Sequence, residues 1–376
     1  MNPPVSIVRC SDYDEAKISQ ALRNAIDLIG GMRAFVKEGD QVLLKPNLIL
    51  GKPPEKAVTT HPSVVRAMIE LVREAGGLPF VGDSPGIGSA IGAAERSGLK
   101  RVADEMGCPL VDLHEPAVTE KKKGRTFRRL EIDRSVLEAD VVINLPKWKT
   151  HSQILLTLGV KNLFGCIPGK RKALWHLQTG GDRKRFAEVL VDLYEVIQPG
   201  LTVLDGVLAM EGNGPSSGRP VPMGLILASA DPLSLDQVVC DLLKIPRERL
   251  ITNQVAFERG LGRGPIEVVG ERVGDLVVGP FRLPSLSSVD WPLPRFLKRA
   301  IRNALSSRPA IYEAACQMCS RCIEICPAQA LEKGEKTPVF DYEKCIRCYC
   351  CQEVCPEEAI TPKEGWGVKM IKKVKG

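Results

Sequence analysis

Eight of the thirteen cysteines fall in two copies of one pattern, C-x2-C-x2-C-x3-C-P: Cys316, Cys319, Cys322 and Cys326-Pro327, then Cys345, Cys348, Cys351 and Cys355-Pro356. No other feature constrains the chain as strongly. Thiolates two residues apart reach adjacent irons of one cubane, and a fourth cysteine followed by proline is turned away from its own run toward a neighbouring cluster. The spacing therefore predicts two 4Fe-4S clusters with crossed ligation. Cys316, Cys319, Cys322 and Cys355 are expected to hold one, and Cys345, Cys348, Cys351 and Cys326 the other.

Other cysteine chemistries fit less well. Structural zinc takes two C-x2-C pairs across a spacer, not consecutive runs of four ending in Cys-Pro. A disulfide framework needs an oxidising compartment. Met1-Asn2-Pro3-Pro4 shows no charged-then-apolar leader, and no apolar run approaches the roughly 18 residues of a membrane span, so a cytoplasmic protein without a transmembrane segment is expected. Cys350 adjoins Cys351, but only Cys351 keeps the x2 spacing from Cys348. Cys10, Cys108, Cys166 and Cys240 are scattered singly and read as buried thiols. From about Ala310 to Pro362 the sequence resembles the bacterial two-cluster ferredoxins, which implies a small α+β module.

At 376 residues the chain is too long for a ferredoxin alone. Charge divides by region: residues 310–362 carry nine Asp or Glu against five Lys or Arg, a net −4, which leaves +11 elsewhere. An acidic redox module is thus tethered to a basic body, which suits internal docking or an anionic small-molecule substrate. Aromatic residues are only 5%, too few for single-strand stacking platforms, and no recognition motif accompanies the basic charge, so nucleic acid is not expected as a partner. A soluble electron donor or acceptor protein is.

Residues 1–282 alternate short β-branched runs with amphipathic stretches, the mark of an α/β body with a mostly parallel sheet and flanking helices. Strands are expected at Val5 to Arg9, Gln41 to Lys45, Pro79 to Gly82, Asp140 to Asn144, Leu201 to Leu204 and Gly224 to Ala228. Ile18, Leu22, Ala25 and Ile29 share one helical face, as do Val64, Met68, Leu71 and Val72. A further helix follows Asp231-Pro232. Residues 283–309 form a linker whose segment Trp291 to Arg308 is basic and amphipathic. It is read as a helix packing on the body, with a membrane surface as the alternative. Residues 363–376 form a basic tail whose Trp366, Val368 and Met370 lean back on the body.

Ligands of open α/β sheets bind beyond the carboxyl ends of the strands. Five successive strand ends here deliver polar residues: Lys45-Pro46-Asn47; Gly82-Asp83-Ser84; Asn144 to His151 with Lys161-Asn162 behind; Asp205-Gly206 and Glu211; and Asp231-Pro232. Each lysine alone reads as an exposed surface residue. Together Lys45, Lys147, Lys149 and Lys161, with Asn47, Asn162 and Glu211, read as a pocket for a carboxylate or phosphate. Asp83 and Asp205 are candidate catalytic groups or helix caps. His151, after Lys-Trp-Lys-Thr, and His176, after the basic loop Gly169 to Lys172, are candidate proton carriers. His61 reads as a cap at a helix start, and His114 as unremarkable.

Nucleotide and flavin motifs are not found. Gly86 to Gly92 places its third glycine one residue late for G-x-G-x-x-G, and Gly165 to Arg171 is one residue short of a P-loop, with Arg where Ser or Thr would meet magnesium. The segments Val42 to Asn47, Val81 to Gly86, Ile143 to His151, Gly159 to Gly165, Leu204 to Gly218 and Ala228 to Asp236 resemble the family catalogued as domain of unknown function 362. That resemblance implies an iron-sulfur protein with a shared α/β core and implies no reaction. The expected function is iron-sulfur electron transfer to an anionic small molecule held by the body. The alternatives are a non-catalytic electron carrier or docking subunit of a larger redox complex, and a non-redox enzyme whose clusters serve structure or sensing.

Overall fold

The computed structural model describes residues 2–118, 124–276, 279–284, 307–363 and 365. The helix expected over Trp291 to Arg308 lies outside them but for Ser307 and Arg308, as do Trp366, Val368 and Met370 of the tail. Among the described residues no helix is long and apolar enough to cross a membrane.

The body is a ten-stranded sheet with helices on its faces. In chain order its elements begin β1 (Val5–Arg9), α1 (Glu15–Asp27), β2 (Gln41–Pro46), α2 (Pro62–Glu74), β3 (Leu78–Asp83), α3 (Ala90–Ser97), α4 (Leu99–Glu105) and β4 (Leu110–Asp112). A small hairpin of β5 (Pro116–Val118) and β6 (Glu131–Asp133) leads to α5 (Arg134–Glu138) and β7 (Val141–Leu145). Then come β8 (Lys147–His151), β9 (Leu155–Thr157), α6 (Gly159–Asn162), α7 (Arg171–Gln178) and α8 (Arg183–Ile197). The body closes with β10 (Leu201–Glu211), β11 (Arg219–Ser229), α9 (Pro232–Leu242), α10 (Ile251–Glu258) and β12 (Val268–Gly270).

Strand order is β12-β1-β11-β10-β7-β2-β3-β4, and from β10 to β4 every pairing is parallel. Strand β11 runs antiparallel to both β1 and β10. Alternation along β2 explains the layering. Val42 and Leu44 face the core formed with α1, α2 and α4, while Leu43 between them faces the core formed with α8 and α10. The helix starts follow the caps read in the sequence. His61 Nδ1 accepts from the Ser63 N–H at the start of α2, and the Asp231 carboxylate accepts from Leu233 and Ser234 at the start of α9.

Several strands differ from expectation; β11 begins at Arg219 rather than Gly224, and two others bear on the site. β10 continues to Glu211, well beyond Leu204, because it pairs with β11 along a long hairpin. Lys147-Trp148-Lys149-Thr150-His151 is a strand with all five residues buried, pairing with β10 and β9. Its charged composition disguises it: Trp148 enters the core with β1, β10 and α9, while both lysines find polar partners.

The C-terminal module carries two short antiparallel ladders, β13 (Arg308–Ile311) with β16 (Ile360–Lys363) and β14 (Leu331–Glu332) with β15 (Val339–Phe340). Short helices Arg321–Ile325 and Cys350–Glu353 each lie within a cysteine run and carry its third cysteine. The protein is α/β with a mostly parallel central sheet, to which this module is appended.

Candidate active site at the sheet edge under the cysteine-rich module

The two cysteine runs repeat in backbone as well as in sequence. Met318 and Arg347 have φ of 53° and 59°, Ser320 and Tyr349 of 62° and 61°, and Gln329 and Glu358 of 49° and 55°. Non-glycine residues seldom adopt positive φ, so six at matched positions mean two equivalent loops wrapped tightly about something central. The thiols fit such a centre. Cys316, Cys319, Cys322 and Cys355 line one cavity. Cys345 has Cys348 and Cys326 as neighbouring thiols, and the Ala330 N–H donates to Cys326 Sγ at 3.2 Å. Among the described residues no three His, Cys, Asp or Glu side chains converge on a lone metal ion. The four single cysteines, Cys10, Cys108, Cys166 and Cys240, are buried thiols.

The module sits directly on the carboxyl edge of the body's sheet. Gln352 is fully buried there: it accepts from Ser152 Oγ through its side chain at 2.9 Å, donates to the Asn213 carbonyl at 2.9 Å, and its own carbonyl accepts from Ser216 Oγ at 3.1 Å. Lys52 bridges to Glu358 at 2.9 Å, and Lys170 to Glu324 at 2.9 Å. The acidic module thus meets basic residues of the body. Gly181, at φ +77°, lets the turn before α8 approach the Ile346 carbonyl so closely that a Cβ would collide with it.

Beneath the module lies a cavity. Its polar walls are Lys45 from β2, Asp83 from β3, His151 from β8, Lys161 and Asn162 from α6, and Lys172 and His176 from α7. Asn47 also lines it, and the module contributes Cys350, Glu353, Val354 and Ile325. Helix α6 is held in place by the buried Asp236, whose carboxylate accepts from the Gly159 and Val160 N–H groups at 2.7 and 3.1 Å.

Within this site most polar groups are matched. Lys45 Nζ donates to Asp83 Oδ1 at 2.8 Å and to the Pro46 carbonyl at 2.9 Å, and Asp83 Oδ2 accepts from the Leu48 N–H at 2.8 Å. Gly165 packs over that pair where a Cβ would strike both partners. Asn47 Nδ2 donates to Asn162 Oδ1 at 2.7 Å, and Asn162 Nδ2 to Asn144 Oδ1 at 2.9 Å.

Several groups are less completely satisfied, the Thr157 hydroxyl among them. Lys161 Nζ lies 4.5 Å from the Phe164 ring centroid, and burial lowers its pKa despite the Glu353 charge nearby. Lys172 donates to the Ile167 carbonyl, and burial pushes its amine down to about 7. His176 stacks on Phe186 at 4.2 Å, is held near 3 by burial, and its Nδ1 has no hydrogen-bond partner among the described residues. His151 Nδ1 accepts from the Gln153 N–H, which leaves Nε2 to carry a proton. That Nε2 lies 3.0 Å from Glu353 Oε1, but the two are poorly directed and neither completes a hydrogen bond. Although burial opposes it, contact with His151 and the charge of Lys161 hold Glu353 down at about 2.

The remaining sequence candidates stand elsewhere. Lys147 pairs with Asp205 at 2.8 Å, and Asp205 also accepts from Tyr13 Oη at 2.6 Å and the His61 N–H at 2.9 Å. Lys149 donates to Asn47 Oδ1 and the Val58 carbonyl, both at 2.6 Å, behind the cavity wall. Glu211 is bound by Arg219 and by the Arg282 N–H at the far end of β10. None of these four lines the cavity.

Residues 42–241 match the family described as domain of unknown function (DUF362). The chain belongs to that family. The same DUF362 segment contains every body residue named above as a cavity wall. Residues 315–359 match a 4Fe-4S dicluster domain, so this part of the chain is an iron-sulfur electron-transfer module. The thylakoid-associated protein sll1697 of Synechocystis sp. is 41% identical over 302 residues, 80% of this chain and 94% of that protein. Among solved structures, the lactate racemase apoprotein of Thermoanaerobacterium thermosaccharolyticum is 12% identical with a TM-score of 0.40. That match covers 61% of this chain and 54% of the other. A protein of Thermotoga maritima is 13% identical with a TM-score of 0.37, over 68% and 61% of the two chains.

Sequence reasoning missed two DUF362 cavity residues and one from the module. Lys172 was visible only as part of the basic loop before His176. Thr157 ends a three-residue strand too short to read from pattern. Glu353 lies in the x3 spacer of the second cysteine run, where ligand spacing gives the intervening residues no role; Glu324 is its counterpart in the first.

Proposed function

We propose that this protein is an iron-sulfur oxidoreductase whose C-terminal module delivers electrons to an anionic small molecule in the cavity at the sheet edge. One observation carries the reading: the helix Cys350–Glu353, set between the ligand cysteines Cys348 and Cys355, forms a wall of that cavity. Tethering of this kind gives a carrier a high effective concentration at one site. The thiol arrangement supports two clusters with crossed ligation, Cys316, Cys319, Cys322 and Cys355 for one and Cys345, Cys348, Cys351 and Cys326 for the other.

Bound clusters would supply electrons singly, two of them with two protons reducing one unsaturated bond. The chain's own residues do the rest. Lys161 and Lys172 hold the anion, and the module excludes water from above. His151 presents the proton on its Nε2 to the ligand, beside the Glu353 carboxylate, and His176 presents a neutral ring nitrogen. Lys147, Lys149, Asp205 and Glu211 fix the strand ends that carry the site. The proposed division is a body over 1–282, a linker over 283–309, a module over 310–362 and a tail over 363–376. A soluble donor protein in the cytoplasm reduces the clusters.

The test is anaerobic. Reduced holoprotein is mixed with fractionated cell metabolites and the cluster absorbance is followed. Reoxidation by a fraction of small anions, lost in His151→Gln with the clusters intact, is the expected result. No reoxidation by any fraction, together with stoichiometric capture of a partner enzyme, favours the non-catalytic carrier instead.

A further inference from the structure

The lysines at this sheet edge are not equivalent. Lys45 and Lys147 are each closed by a carboxylate at 2.8 Å, and Lys149 by two oxygens at 2.6 Å. Lys161 Nζ makes no hydrogen bond or ion pair among the described residues; it lies over the rings of Phe164 and Phe186, with the Glu353 charge nearby. Lys172 has a single backbone carbonyl. Beside them, among the described residues, His176 Nδ1 lacks a hydrogen-bond partner and His151 Nε2 has only the poorly directed Glu353 Oε1 at 3.0 Å, on residues 2% and 1% exposed. Buried polar atoms in native proteins are almost always satisfied, so the underused amines of Lys161 and Lys172, with the Nε2 proton of His151 and the unpartnered Thr157 hydroxyl on the same cavity, point to a ligand that supplies acceptor oxygens.

The rest of the cavity limits what that ligand is. Ile49, Leu50, Ala173, Ile325 and Val354 form a continuous apolar wall, and among the described residues no arginine lines the space. A phosphate would set polar oxygens on every side, several of them against this wall, and a sugar acid would leave its hydroxyls against hydrocarbon. Charge gives the same answer. Lys45 and Asp83 cancel, Glu353 offsets one of the two free amines, and the balance suits one negative charge. A dianion would set its second charge against Glu353 or the apolar wall.

We infer that the cavity binds a small monocarboxylate with an apolar body, its carboxylate against Lys161 and Lys172 and its body against Leu50 and Val354. This rests on the oxidoreductase reading only for what becomes of the ligand; the binding chemistry stands on its own. Dispersion and burial along the wall hold the apolar part, and the amines set its orientation.

Equilibrium dialysis on the anaerobically purified full-length holoprotein tests it with defined probes: benzoate, 3-phenylpropanoate, benzamide, succinate and inorganic phosphate. Benzoate and 3-phenylpropanoate are expected to bind at least tenfold more tightly than the other three. Benzamide has nearly the same shape without the charge, so this comparison needs no variant. Lys161→Met is expected to weaken benzoate at least tenfold while the cluster absorbance stays unchanged, and Leu50→Ser to weaken 3-phenylpropanoate more than benzoate. Phosphate or succinate binding as tightly as benzoate, or Lys161→Met leaving benzoate unaffected, overturns the assignment. A metabolite fraction that reoxidises the clusters while all carboxylate probes fail would reject this ligand class and leave the oxidoreductase reading standing. Carboxylates that bind while no fraction reoxidises the clusters would do the reverse.

Discussion

Ser152 Oγ donates to the side-chain oxygen of Gln352 at 2.9 Å across 200 residues of sequence, and both side chains are buried. The contact joins the end of β8 to the helix between two ligand cysteines, so one residue of the module reads the position of the strand that carries His151. Replacing Gln352 by Leu strands the Asn213 carbonyl at a cost of about 1–3 kcal/mol, while the Ser152 hydroxyl keeps the Gly214 carbonyl at 2.8 Å as its acceptor. The expected result is a lower denaturation midpoint and faster proteolysis between body and module. Iron content should hold, since Gln352 is not a ligand.

Anion binding should follow the protonation of Lys172. Its amine sits near 7 because burial outweighs the Asp83 charge, with Lys45 and Lys161 opposing protonation and Cys166 nearby. A bound carboxylate favours the charged amine, so the complex holds more protons than the free protein. Affinity is therefore greatest below about pH 7 and falls as pH rises through it, approaching tenfold per pH unit until the amine of the complex also titrates. Dialysis of benzoate from pH 6 to 9 measures this, and Lys172→Met should flatten the profile.

Much of this geometry was legible in the chain, for definite reasons. Cysteine spacing is a local property, and the strands β1, β2, β3 and β7 are apolar runs whose alternation survives in the sequence. β8 was not legible, because its lysines are buried by partners far along the chain, Asp205 for Lys147 and Asn47 for Lys149. The strand-end rule collected four lysines without sorting them: Lys45 and Lys161 line the cavity, and Lys147 and Lys149 do not. Lys45, Lys147, Lys149 and Lys161 look alike in sequence, and only the fold shows which of them already has an acceptor. Glu353 was hidden because its role depends on docking, which no local pattern records.

Crossed ligation predicts that each fourth cysteine belongs to the opposite run. Cys355→Ala should remove the cluster of Cys316, Cys319 and Cys322, and Cys326→Ala the cluster of Cys345, Cys348 and Cys351. Each variant should retain about half the iron and show one reduced-cluster resonance by EPR, the two variants keeping different signals. If either variant keeps the signal assigned to the opposite run's three cysteines, ligation within each run replaces crossing. Cys350→Ala should keep both clusters.

The Lys45–Asp83 pair lies in the cavity wall, with Lys45 wholly buried and Asp83 nearly so. Removing one partner of a buried pair leaves an uncompensated charge at a cost of about 3–5 kcal/mol, whereas replacing both with apolar groups can be nearly neutral. Asp83→Leu alone should therefore destabilise the body strongly, because Lys45 loses its carboxylate and the Leu48 N–H its acceptor. The double variant Lys45→Met, Asp83→Leu should recover most of the loss, short of the Leu48 hydrogen bond, which denaturant titration resolves. Benzoate binding separates structure from recognition: if the pair only shapes the wall, the folded double variant binds within a fewfold of wild type. If Lys45 holds the carboxylate, binding disappears while stability returns.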